Sequence, residues 1–317
     1  MKAYDRDITF IGTALVDSII RGLDPAPVSA TGYRAESGGL YVGGEAVNGA
    51  LAAVKLGLSA RILCALGRDA AGDMVTAALE RGGVDTAGVL RSEDHATPVS
   101  TLIVREDGSR RSITNAAHRY NFHPERYGDR VARSRVLVLG SLFRAPFDDP
   151  AVVKGVVNAP EAKDALILAD TKLPNFRKLT LEDLRESLPG IDYIFPNEDE
   201  GRYCTGQTDP EAIADVFLDH GVQNVIVKLG PKGCFFKNRS ETLRLDACSV
   251  RAVDATGAGD CFLAGFAASL LAGKDNQSAL RFANACGALC CTALGASAGL
   301  RDREQVLELL RRDPLPV

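Results

Sequence analysis

Apolar residues fall in short runs that alternate with stretches of helical period. DITFIG (7–12), SARILCALG (59–67), RVLVLGS (135–141), ALILADT (165–171), YIFPN (193–197) and NVIVKLG (224–230) are rich in Ile, Val and Leu, and most end in Gly, Asp or Asn. Runs of that length and composition predict strands. Residues 45–55, 71–81, 180–187, 210–220 and 258–272 carry helical spacing instead. Near-continuous apolar strands alternating with helices predict an α/β fold, its mostly parallel sheet covered on both faces as three layers, α/β/α. Ligands of such sheets bind beyond the carboxyl ends of the strands, so the polar residues there become the candidates for chemistry.

Two segments break this rhythm. TPVSTLIVREDGSRRSIT (97–114) alternates apolar and polar positions about Asp107-Gly108, which predicts a hairpin. A second non-helical stretch, 26–41, precedes VGGEAVN. Together they predict a small β lid built from segments near 14–42 and 95–120. Such a lid can cover a site or form a homodimer surface. Without repeats, low-complexity tracts or a long linker, residues 1–317 read as a single domain carrying that lid.

Composition narrows the partners. The 317 residues are 46% hydrophobic and 25% charged, with a net charge of −4. A large core is possible, and neither nucleic acid nor an anionic membrane is an expected partner. Eight cysteines form no CxxC pair and sit mostly in apolar stretches, as buried thiols of a reducing compartment do. No signal-peptide core precedes Asp17, and the charge-free stretch 283–300 has too few large apolar residues to span a bilayer. A cytoplasmic location is expected.

The sharpest chemistry lies in DATGAGD (254–260), which runs into the apolar CFLAGFAASLLAG. Gly257 and Gly259 flank Ala258, leaving the backbone bare where a helix begins. The first amides of a helix lack intrahelical acceptors, and the macrodipole adds positive potential, so such a terminus suits phosphate. Asp260 then stands beside the anion as a base; the plainer alternative is a strand-to-helix turn with a dipole-favouring acid. Other motifs are double-edged too. Asp17, expected at the end of the first strand, offers a carboxylate to a ligand or serves as a cap. Asn197 and Glu200 in PNEDE bind a ligand or simply start an acidic helix, with Asn197 as N-cap. KLGPKG (228–233) places Gly230 and Gly233 in a loop. Neither G-x-x-x-x-G-K-[ST] nor a G-x-G-x-x-G after a strand is present.

Residues 254–260 resemble the C-terminal signature D-[TA]-T-G-A-G-D of the ribokinase (PfkB-type) carbohydrate kinases. Gly43, Gly44 and Asn48 resemble that family's N-terminal signature, a Gly pair with Asn four positions on. The resemblance implies a ribokinase-like fold and phosphoryl transfer from ATP. Amides of Gly257, Ala258, Gly259 and Asp260 would hold developing charge while Asp260 accepts the hydroxyl proton. Asp17, Gly43, Gly44 and Asn48 would contact a polyhydroxylated substrate. Asn197, Lys228, Gly230, Gly233 and Asn284 would face the nucleotide, with Lys228 as a point charge where a hydroxyl residue is usual. Glu200 would organise the Mg²⁺ region. Asp254, Thr256 and Gly295 would bind K⁺, with Gly299 standing where a serine is frequent.

The resemblance implies a small sugar as substrate. Ribose or a ketohexose such as fructose is favoured over a nucleoside, because aromatic residues are only 6% of the chain. Arg105, Arg110 and Arg111, with His118, Arg119, Tyr120 and Arg144, offer either a clamp for phosphate or carboxylate or a solvated hairpin face. The solvated face is the expectation. Rival readings are a non-catalytic sugar-binding or regulatory protein on the same fold, and a kinase for a nucleoside or phosphorylated sugar. Vitamin-type kinases usually lack the Gly–Gly–Asn element and the lid.

Overall fold

The structure, a computed structural model, describes residues 4–21, 35–104, 110–115, 122–131 and 133–312. In chain order, β1 (Arg6–Ile11) precedes β2 (Leu15–Arg21), β3 (Ser37–Gly43), α1 (Glu45–Lys55), β4 (Ala60–Gly67), α2 (Ala70–Arg81), β5 (Asp85–Ser92), β6 (Val99–Val104) and β7 (Arg110–Thr114). There follow β8 (Ser134–Leu142), α3 (Pro150–Val157), β9 (Leu166–Thr171), β10 (Tyr193–Phe195), α4 (Glu198–Thr205) and α5 (Pro210–Asp219). The chain continues through β11 (Asn224–Lys228), β12 (Cys234–Asn238), β13 (Thr242–Leu245), α6 (Ala258–Leu271), α7 (Asn276–Cys290) and α8 (Arg303–Arg312).

Strand pleating sorts the apolar runs between two cores. Val136 and Val138 of β8 join one cluster with Ile8, Phe10 and the inner faces of α1, α6 and α7. Leu137 and Leu139 join the other, with Ile11 and the inner faces of α3 and α5. Both faces of the sheet are therefore covered, which is why the strands read as continuous rather than alternating. The nine strands run in the order β13-β12-β11-β10-β9-β8-β1-β4-β5. From β5 to β11 every pairing is parallel; β12 and β13 close one edge antiparallel.

The order places the crevice. β1 sits between β4 and β8, so the chain winds one way from β1 and then the other. Such a switch point opens a cleft at the carboxyl ends of the flanking strands. There, Gly12, Thr13, Ala14, Ala65, Phe122, Ala145 and Pro146 line a small open cleft.

A separate four-stranded sheet has the order β3-β2-β6-β7. Its β6–β7 pair is the hairpin expected within 97–114, although the Asp107-Gly108 turn lies outside the described residues. Asp17 does not end the first strand of the main sheet. It lies inside β2, opposite Tyr41 of β3, because the chain crosses at once into the small sheet. Residues 180–187 also depart from expectation. They form short 3₁₀ turns, Glu182–Leu184 and then Leu188–Gly190, rather than an α-helix. Pro189 has no backbone N–H to donate to the Arg185 carbonyl, so an α-helix cannot run on through it, and two tight turns already bury Leu184 and Leu188. No described helix is long and apolar enough to cross a membrane.

Candidate active site

Gly257 caps α6 at φ 79°, and a Cβ there would collide with the Ala296 carbonyl oxygen. Both conditions require glycine. The Ala258 amide turns back to the Ala255 carbonyl at 3.2 Å. Among the described residues, the Gly259 and Asp260 amides have no backbone acceptor, so these two form the bare helix terminus. A Cβ on Gly259 would lie 3.2 Å from Lys228 Nζ, which puts a lysine ammonium beside those amides.

Asp260 is held from across the molecule. The buried Asn48 of α1 donates from Nδ2 to Asp260 Oδ2 at 2.7 Å, because α1 and α6 pack side by side. Removal from water is the largest influence on the Asp260 carboxyl and pushes it up to about 7. The Lys172 charge and the Asn48 hydrogen bond oppose this, while the Asp170 and Glu45 charges add to it. A carboxylate poised near neutrality can take a proton and release it again.

Around it lies a nest of buried charge. Lys228 Nζ donates to Asp170 Oδ1 at 2.5 Å, and both side chains are nearly enclosed. Glu200 accepts from the Thr171 hydroxyl at 2.8 Å and from the Asn197 amide at 2.9 Å. Burial raises the Glu200 pKa, against the pull of Lys228. The Asn197 side chain in turn accepts from the Glu200 amide, closing a capping box on α4. The helix-cap and ligand readings of this motif thus share the same two residues. Asn197→Ala is expected to lower stability by about 1 kcal/mol in denaturant unfolding, an amount typical of a lost N-cap; no change would show that the cap is dispensable.

Asp170, Glu200 and Asp260 set three carboxyl groups around Lys228. Among the described residues, no group of three or more His, Cys, Asp or Glu side chains is placed to hold a metal ion. Such an acidic but sparse set suits a Mg²⁺ that arrives on nucleotide phosphates and keeps its waters.

The remaining expected residues flank this centre. Gly44, at φ 98°, begins α1 where a Cβ would strike the Thr13 carbonyl oxygen, and a Cβ on Gly43 would strike the Asp17 carboxylate. Asp17, Gly43, Gly44 and Asn48 are therefore contiguous on the side of the Gly12–Ala14 cleft. Gly230 and Gly233, at φ 58° and 89°, shape the loop after β11. Asn284 is buried behind that loop, where its amide reaches Cys234 Sγ and the Asp246 carbonyl. Asp254 accepts from the Thr256 amide and hydroxyl through Oδ1 and from the Gly295 amide through Oδ2. Those three residues form one oxygen-rich loop cluster that could hold a monovalent cation.

Arg144 turns aside, donating to the Leu173 carbonyl at 2.7 Å. Arg105, His118, Arg119 and Tyr120 lie outside the described residues, as do the side chains of Arg110 and Arg111.

Residues 5–303 match the family profile described as pfkB family carbohydrate kinase. The chain belongs to that family. It is similar to a ribokinase of Haemophilus influenzae, 27% identical over 277 residues that span 84% of this chain and 87% of the relative. A 2-dehydro-3-deoxygluconokinase of Bacillus subtilis is 29% identical over 307 residues, spanning 88% and 91%. The solved structure of an Arabidopsis thaliana ribokinase complexed with ribose and ATP superposes with a TM-score of 0.80 at 27% identity, covering 96% of this chain and 99% of that one. This chain is thus a carbohydrate kinase, and ATP is the phosphoryl donor of its ribokinase-type relatives.

Sequence reasoning passed over Asp170, Thr171, Lys172 and Glu45. The first three are the end of ALILADT and the residue after it, at the carboxyl end of a parallel strand. That position alone marks them as site candidates.

Proposed function

We propose that this carbohydrate kinase transfers the γ-phosphoryl group of ATP to a hydroxyl of a small sugar, with ribose or a ketohexose such as fructose favoured. The observation that carries the reading is the pairing of Asp260, raised to about 7, with the two bare amides at the start of α6. The acceptor oxygen attacks the γ-phosphorus, the bridging bond to ADP breaks, and the hydroxyl proton passes to Asp260. Gly259 and Asp260 amides take the charge that builds on the phosphoryl oxygens. Asp17 and Asn48 orient the sugar, Asn48 by bridging it to the base. The loop of Gly230 and Gly233, with Asn284 behind it, seats the nucleotide.

Asn197 and Glu200 would hold the Mg²⁺ region through water, and the ion would neutralise donor phosphates. Asp254, Thr256 and Gly295 would hold K⁺, whose charge would steady the loop behind Gly257. Exposed Leu40 and Ile113 support the reading of the small sheet as a surface shared with a second copy.

The test is MgATP-dependent ADP release across ribose, fructose, other sugars, nucleosides and sugar phosphates, with K⁺ present. Saturable turnover with a free pentose or hexose is expected. Sugar binding without turnover would contradict the reading and leave a sensor. A preference for a nucleoside or phosphorylated sugar would correct the substrate alone. The acid limb of kcat/KM is expected near pH 7, with activity falling about tenfold per unit below it as Asp260 keeps its proton. A limb below pH 5 would show that the free enzyme's carboxylate is not held up by burial.

A further inference from the structure

We propose that Lys172 is a further catalytic residue, whose ammonium meets the phosphoryl group as it passes from nucleotide to acceptor. The proposal rests on the kinase reading above and deepens it.

Two residues at the end of β9 hold the charged groups of the centre, and a lysine follows them directly. Asp170 holds Lys228, and Thr171 holds Glu200. Lys172 follows, its backbone amide pinned to the Leu142 carbonyl at 3.0 Å. Its root is therefore fixed just beyond the carboxyl ends of β8 and β9. Its side chain is exposed, and among the described residues no carboxylate is hydrogen-bonded or ion-paired to its ammonium. The other lysine at the centre differs in this respect. Lys228 is enclosed and engaged with Asp170, so its charge is already matched.

The charge of Lys172 acts on two groups at once. It is felt by Asp260 on α6 and by Glu200 on α4. In the proposed reaction Asp260 stands beside the acceptor hydroxyl and Glu200 beside the donor phosphates. The root of Lys172 directly follows Thr171, whose hydroxyl holds Glu200.

Chemistry supplies the demand. The transferring group in a loose transition state spreads negative charge over three equatorial oxygens. The Gly259 and Asp260 amides are two donors for it. A lysine on a flexible stem adds a point charge that can follow the group as it moves. In the transfer the acceptor O–P bond forms, the bridging O–P bond of ATP breaks, and the hydroxyl proton goes to Asp260. The plainer alternative, a solvated surface lysine, explains the exposure but not a root pinned directly after the two residues that hold Lys228 and Glu200.

The experiment compares full-length wild type, Lys172→Met, Lys172→Gln and Lys172→Arg, using the acceptor identified by the substrate panel. Removing the ammonium is expected to lower kcat by about 10²–10³-fold, the range for one lost transition-state donor. KM for ATP and sugar should stay within about threefold, and Arg should restore at least about tenfold of the loss. The acid limb of kcat/KM should also move to higher pH in the Met and Gln variants, because Asp260 loses a neighbouring positive charge. In that titration Asp260 is also faced by Asn48 and Glu45 of α1, Asp170 of β9 and Lys228 of β11.

Turnover within about threefold of wild type in both neutral variants would overturn the proposal. So would a raised KM with kcat kept, which would assign Lys172 to substrate binding. Thermal melts separate misfolding from lost chemistry, and two neutral variants guard against one that fails to fold. Absence of wild-type turnover with every acceptor would overturn the kinase reading itself, and this proposal with it.

Discussion

Asp260→Asn lowers kcat by about 10²–10⁴-fold, the range for removing a positioned base, yet leaves the fold intact. The amide has nearly the shape of the carboxyl, and its oxygen can still accept from Asn48 Nδ2. Stability should rise rather than fall at alkaline pH. The folded carboxyl holds its proton up to about pH 7, against 3.8 for a free one. Between those values the folded state binds the proton more tightly than the unfolded chain. The ionised carboxylate therefore costs stability: nothing below 3.8, progressively more from there to 7, and fully above 7. The substitution removes that cost, so its melting midpoint should exceed the parent's at pH 8 and converge with it by pH 4. Steady-state kinetics and melts at the two pH values check both parts. Turnover kept within tenfold would place the base elsewhere.

Lys228→Met is expected to destabilise the protein by about 3–5 kcal/mol, the usual loss when one partner of a buried pair is removed. Asp170 would lose its 2.5 Å partner, and Glu200 and Asp260 would lose a neighbouring positive charge. Their negative charges would then lack a matching cation in a poorly hydrated site. Adding Asp170→Asn should recover much of the loss, because the unmatched carboxylate is what does the damage. Denaturant unfolding of both variants measures this cycle. If the single variant unfolds within about 1 kcal/mol of the parent, the pair is screened more than its burial implies.

How much of this was legible depends on the range of the interaction. Strand positions followed from local composition, and the split of Val136 and Val138 from Leu137 and Leu139 follows from pleating. The helix α1 is bounded as its periodicity predicts, Glu45–Lys55. Gly257 was legible as a bare helix entry, while its positive φ and that of Gly44 emerge only from the close approach of the Ala296 and Thr13 carbonyls. The expected helix at 180–187 failed because Pro189 and burial of single leucines outweighed a short periodic pattern.

The site was harder to read. Nothing local ties Asn48 to Asp260, 212 positions apart, and only the packing of α1 on α6 joins them. Asp170 reads as an ordinary strand end until Lys228, 58 positions later, is seen to need a counter-charge. Asp17 is legible as a polar residue near a strand end, but its seat in β2 depends on pairing with β3 and β6. The β12–β13 edge carries too few residues for its antiparallel turn to stand out from the parallel strands before it.

The most direct test of the central claim is ³¹P NMR of MgATP, the full-length protein and the acceptor found by the panel. Phosphoryl transfer predicts loss of the γ-phosphate resonance, stoichiometric ADP, and a new phosphomonoester signal split by the protons on the acceptor carbon. Unchanged ATP, or release of inorganic phosphate as a single unsplit line, would contradict it.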